Sequence, residues 1–112
     1  MEYVAKTSPR RCPSHPGEVL ADILDDMDIS KTAFAKHLGI SRTLLYAILS
    51  AKKPVTKDTA VLINDALAGN GPGLWLRLQA NFDTWHAEQR PAAKAIKPLP
   101  QIAYAQAQAA GV

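Results

Sequence analysis

Residues 29–57 read ISKTAFAKHLGISRTLLYAILSAKKPVTK, and their spacing decides the fold. Ser30 stands before an apolar-periodic run of Phe34, Ala35 and Leu38, which suits an N-cap opening a short helix. Gly39 follows, where a helix stops and the chain turns with positive φ. Ser41 can cap a second helix, whose Leu45, Ile48 and Leu49 fall at i, i+3 and i+4 on one buried stripe. Ala35, four residues before the glycine, supplies the small side chain that a closely crossing helix needs. Helix, glycine turn, helix is the spacing of a helix-turn-helix.

Charge sharpens the reading. This window carries six cations, Lys31, Lys36, Arg42, Lys52, Lys53 and Lys57, and no acid. Five of the ten acids crowd just before it: Glu18, Asp22, Asp25, Asp26 and Asp28. A whole-chain balance of +3 says little. The segregation says that one face is built to meet an anionic partner.

Working outward, residues 1–14 hold prolines, arginines and little periodicity, and read as a mobile arm. HPGE at 15–18 leads into Val19, Leu20, Ile23, Leu24 and Met27, an apolar face on a first helix. Pro54 ends any helix before it, and Thr56 can cap a fourth helix that buries Ala60, Leu62 or Ile63, Ala66 and Leu67. Residues 69–73, GNGPG, are a break. A fifth helix follows with Trp75, Leu78, Phe82 and Trp85 spaced three, four and three apart. This stripe either packs on helices 1 and 4 or forms a two-fold dimer seam, for which Trp75, Leu78, Gln79, Phe82 and Trp85 are the candidates. Residues 91–112 are rich in alanine, proline and glutamine; they read as a flexible tail, with a weak helix allowed over 101–110. The expectation is an all-α chain: an arm at 1–14, a five-helix, phage-repressor-like helix-turn-helix domain at 15–90 and a tail at 91–112.

Composition narrows the function classes. At 112 residues there is room for one domain and a tail, and 47% hydrophobic residues suit a folded core. No apolar stretch approaches a membrane span and no signal peptide opens the chain, so a cytoplasmic protein is expected. Cys12 is alone, which fits a reducing compartment. His15, His37 and His86 are far apart, and none has ligand spacing with Cys12 or another histidine. There is no nucleophile–base arrangement and no glycine-rich phosphate loop. The acids of helix 1 read as a solvated face. No enzyme, metal or cofactor is expected.

HPGEVLADIL at 15–24, the helix-turn-helix, TKDTAVLI at 56–63 and GPGLWLRLQANFD at 71–83 occur in that order. Together they resemble HigA-type antitoxins of bacterial toxin–antitoxin modules, within the phage-repressor-like class. The likeness spans about residues 15–88, and HPGE combined with Trp75, Leu76, Leu78 and Gln79 is its most specific part. The resemblance implies a homodimer that binds its own promoter and silences a HigB-type ribonuclease toxin, which cleaves messenger RNA on the ribosome. The chain departs from the family pattern at Lys31, where glutamine is usual, and at Ala51, where glycine is usual. It departs also at Ala68, in place of a bulky aromatic, and over 71–74, where Ser-Pro-Glu-Phe is usual.

In a helix-turn-helix the start of the second helix enters the major groove. Ser41, Arg42, Thr43, Tyr46 and Ser50 are the candidates there, with Arg42 able to grip guanine O6 and N7. Lys31, Lys52, Lys53 and Lys57 read as phosphate contacts, which set register and affinity without sequence information. Three readings stand side by side: a repressor that is also an antitoxin, a stand-alone repressor of the same fold, and a protein-interaction module whose basic window is a solvated face. Only the third predicts no salt-dependent DNA binding.

Overall fold

The computed structural model describes residues 11–90 and 96–110. They form six helices: α1 Pro16–Asp26, α2 Lys31–Leu38, α3 Arg42–Leu49, α4 Lys57–Ala66, α5 Gly73–Gln89 and α6 Pro100–Ala110. α2 packs on α3, α1 on α3, α4 on α2, and α5 across α4 and α1. The shared core is Leu20, Leu24, Phe34, Ala35, Leu38, Leu45, Ile48, Val55, Ala60, Ile63 and Trp75. Each expected apolar stripe contributes to it, and Ala35 sits buried at the α2–α3 crossing.

Helices α1 to α4 start on the side chains of their own caps. Ser30, Ser41 and Thr56 accept the N–H of Ala33, Leu44 and Thr59, respectively. Each bond satisfies a donor that the first helical turn leaves without a partner. His15 opens α1 differently: its Nδ1 accepts the Gly17 N–H at 2.9 Å, while its own N–H donates to Glu18 Oε1 at 3.0 Å. That is a capping box with an imidazole in the usual hydroxyl's place.

Four helices stop by one device. The N–H of Ile29, Ile40, Lys52 and Gly69 donates back to the carbonyl of Leu24, Ala35, Ala47 and Asn64, five residues earlier. The residue before each donor, Asp28, Gly39, Ala51 or Ala68, is left-handed, with φ of 56°, 78°, 65° and 53°. Only one of the four is glycine, so only the α2 end was marked in the sequence.

Two expectations need correction. Residues 15–90 hold the five expected helices, and a sixth stands among the described residues where a weak helix was allowed. Pro100 is preset for a first turn, and alanine and glutamine over 101–109 are good helix formers, so α6 forms although all its described side chains are exposed. Trp75 and Gln79 are buried in their own chain, Trp75 at 4% exposure. They are therefore core residues rather than seam residues. Met27 is not on the buried face; it is the C-cap of α1 and 54% exposed. Residues 1–10 of the expected arm, and 91–95 and 111–112 of the expected tail, lie outside the described residues. Cys12 and Pro13 are half-buried, with Cys12 Sγ 3.5 Å from His86 Nε2 on α5.

Candidate nucleic-acid interface

α3 presents Ser41, Arg42, Thr43 and Tyr46 to solvent, Tyr46 at 48% exposure. The inward stripe of Leu45 and Ile48, with Leu44 and Leu49 partly covered beside it, forces this division. Leu44 therefore has a packing role. Ser41 Oγ spends a lone pair on Leu44 N–H, which leaves its hydroxyl proton free to donate to an anion. Ser50, the C-cap, donates its hydroxyl to the Tyr46 carbonyl at 2.9 Å and also lies near that of Ala47. It can still accept a bond but has less freedom to donate one.

α2 delivers Lys31 to the same place. Its Nζ lies 6.0 Å from the centre of the Tyr46 ring, at the limit of a cation–π contact. Lys31, Tyr46 and Ser50 line one open hollow of about 380 Å³ with Ala21 and Leu49. The helix ends add to the field. The first turns of α2 and α3 hold no acid, whereas α1 has Glu18 and α4 has Asp58. A helix start carries partial positive charge, and leaving it uncompensated favours a phosphate.

Lys52 and Lys53 ride on the loop after α3, and Lys57 opens α4; all three are exposed. The loop is met from two sides. Gln79 Oε1 accepts the buried N–H of Val55 at 2.7 Å, and Gln79 Nε2 donates to Asp83 at 3.0 Å, which fixes the amide's orientation. From the other side the buried His15 ring faces the Lys53 backbone, whose carbonyl pulls the ring's pKa upward. That ring is 1% exposed and meets Phe82 edge-on at 4.9 Å. Burial lowers its pKa below the ordinary 6.5, against the pull of Glu18, Asp83 and the Lys53 carbonyl. The neutral ring is the form whose Nδ1 can cap Gly17. Gly17 in turn lies so near the Ile48 carbonyl that any Cβ would overlap it. HPGE and the Trp75–Gln79 stretch thus converge on one basic loop from opposite ends of the domain. The sequence contains both motifs but gives no sign that they meet.

Of the remaining candidates, Leu78, Phe82 and Trp85 are half-buried, and Leu74 beside them is exposed. Phe82 also meets His86 at a tilt, with ring centres 4.4 Å apart. His37 is exposed and borders a groove next to Met27 and Phe34. Among the described residues no helix is long and apolar enough to cross a membrane.

No protein-family model matches the chain. Solved structures do. An antidote protein of a plasmid maintenance system from Nostoc punctiforme is 46% identical, over 70% of this chain and 86% of that one, with a TM-score of 0.68. An addiction-module antidote protein of the HigA family from Coxiella burnetii is 33% identical, over 80% of this chain and 100% of that one, with a TM-score of 0.72. HigA from Pseudomonas aeruginosa, solved with the higBA promoter, is 27% identical over 78% and 98%, with a TM-score of 0.68. Among curated relatives, virulence-associated protein A' of Dichelobacter nodosus is 34% identical over 71 residues, 63% of this chain and 62% of that protein's own length.

Proposed function

The chain belongs to the HigA family of helix-turn-helix antitoxins, and from that premise we propose that it represses its own promoter as a homodimer and neutralises a HigB-type ribonuclease encoded beside it. Such a protein works by binding, in the cytoplasm, and catalyses nothing.

The observation that carries the DNA half is the basic loop tied down by Gln79 at Val55 beside an acid-free α3 start. Ser41, Arg42, Thr43 and Tyr46 take the major-groove edge, with Arg42 as the base reader. Lys31, Lys52, Lys53 and Lys57 take phosphates on either side, and Ser50 accepts at the margin. The solved HigA–promoter complex supports this reading by likeness of fold. Residues 15–90 are the working unit. Leu78, Phe82 and Trp85 on α5 are the part of the stripe left partly open after Trp75 and Gln79 have turned inward, and they form the two-fold seam.

The toxin half rests on family membership. It is tested by expressing the adjacent small reading frame with and without this protein. Growth arrest by the neighbour alone, rescue by this chain and co-purification of the two are the expected results. A harmless neighbour would leave a stand-alone repressor, which salt-dependent binding to its own promoter would still establish.

A further inference from the structure

Met27, Ile29, Phe34, His37 and Leu67 line an open, largely apolar groove of about 290 Å³ where the ends of α1 and α4 meet α2. Met27 is exposed there, although it is a large apolar side chain. Acids surround it. Asp25, Asp26 and Asp28 flank Met27 in the chain and are exposed. Asp65 lines the hollow that adjoins the groove at His37 and Ala66. On α2, Lys36 stands next to His37 in sequence and is exposed.

The other end of the molecule has the opposite character. After Glu88 every charged residue is positive: Arg90, Lys94 and Lys97. From Pro98 to Val112 there is no charged side chain. Ile96, Leu99, Ile102 and Tyr104 are all exposed, Leu99 at 66% and Ile102 at 49%. A cationic lead followed by exposed apolar side chains is the complement of an apolar groove with an acidic rim.

In an antiparallel α5 pair, helix direction places the arm nearer its partner's groove than its own. α5 begins beside the groove, since Leu67 lines both the groove and the hollow that Leu74 and Trp75 border with Ile23. It ends beside Cys12 and His15, where His86 and Phe82 lie. Its 17 residues carry the chain roughly 25 Å from the groove. If two α5 helices pair antiparallel about a two-fold axis, each arm emerges beside the start of its partner's α5, and so beside the partner's groove. The nine residues from Pro91 to Leu99 can span up to about 30 Å, enough to seat Leu99 and Ile102 there.

We propose that the C-terminal arm, Arg90 to Tyr104, docks in the acid-rimmed groove of a second copy, so that two arms are exchanged across the dimer. The inference rests on the α5 seam proposed above and deepens it. Its test is sedimentation of the full-length chain as wild type, Ile102→Asp and Met27→Lys, together with an equimolar mixture of the two variants. Both sites are exposed, so both variants should keep their helical circular dichroism. Each is expected to weaken dimerisation by about tenfold or more, because each sets a charge against an apolar contact. The mixture should recover part of the loss, since one intact arm then faces one intact groove. Raised salt should weaken the wild-type dimer more than it weakens the arm variant.

Wild-type affinity in both variants would overturn the exchange and leave the α5 seam standing. A monomeric wild type would overturn the exchange and the dimer together. Normal dimerisation of Met27→Lys with loss of toxin co-purification would assign the groove to a basic protein partner instead.

Discussion

The side-chain carbonyl of Gln79 lies 2.7 Å from the backbone nitrogen of Val55 and accepts its N–H. One residue is on the long α5 and the other ends the basic loop, so the bond ties the core to the loop that carries Lys52 and Lys53. Gln79→Ala strands a buried donor and is expected to cost about 1–3 kcal/mol in denaturant unfolding. It should also weaken DNA binding on all sequences alike, because it loosens Lys52 and Lys53 and leaves Arg42 untouched. A titration on operator and scrambled duplexes reads this; a loss confined to the operator would contradict it.

His15 makes the fold acid-sensitive. Its folded pKa lies below the ordinary 6.5 because the ring is buried. In the interval between the two values the unfolded chain binds more protons, so stability rises with pH there. The His15 contribution is therefore complete above 6.5, falls as pH drops through that interval, and levels off below the folded value. Melting temperatures taken between roughly pH 8 and pH 5 should show the fall. His15→Asn keeps an N-cap acceptor that does not titrate, and its curve should be flatter over the same range.

Arg42 and Lys53 should separate in a mutation series. Arg42→Ala is expected to cost about 1–3 kcal/mol on the operator and to relax preference at one base position. Lys53→Ala should weaken every duplex equally and reduce the slope of log K against log salt by about one. Equal losses on all sequences for both variants would remove the division between reading and positioning.

Ala51 holds a left-handed conformation with φ of 65° at the end of α3. An L-residue pays roughly 1–2 kcal/mol there, while glycine gives back up to about 1 kcal/mol through the unfolded chain. Ala51→Gly is therefore expected to stabilise the domain by about 0.5–1 kcal/mol. Ala51→Val should do the opposite, and chemical denaturation of the three chains gives the order.

The helices were legible where a local rule governs them. Ser30, Ser41 and Thr56 announce their caps, and Leu45 and Ile48 their stripe, because capping and periodicity act within one or two turns. Asp28, Ala51 and Ala68 did not announce three left-handed helix ends, since their backbone is set by the bonds around them and not by their own preference. The α5 period was visible, but the side that each residue faces was not. Trp75 and Gln79 turn inward because Val55 and the core need them, which is a contact 24 residues distant for Gln79. His15 read as the start of a helix, and its reach to Phe82 and Lys53 is a long-range fact no spacing encodes. α6 was legible only as a weak helix over 101–110, because its composition also suits disorder.

The pinned loop bears on the thermodynamics of association. A segment that orders only on its target buries new surface as it folds, and calorimetry sees this as a large negative heat-capacity change with an opposing entropy. Here Lys52 and Lys53 already sit on a loop whose end is tied down at Val55 by Gln79 in the free protein. The loop should add little to either quantity. What remains is the release of counterions from the duplex, a favourable entropy that fades as salt is added.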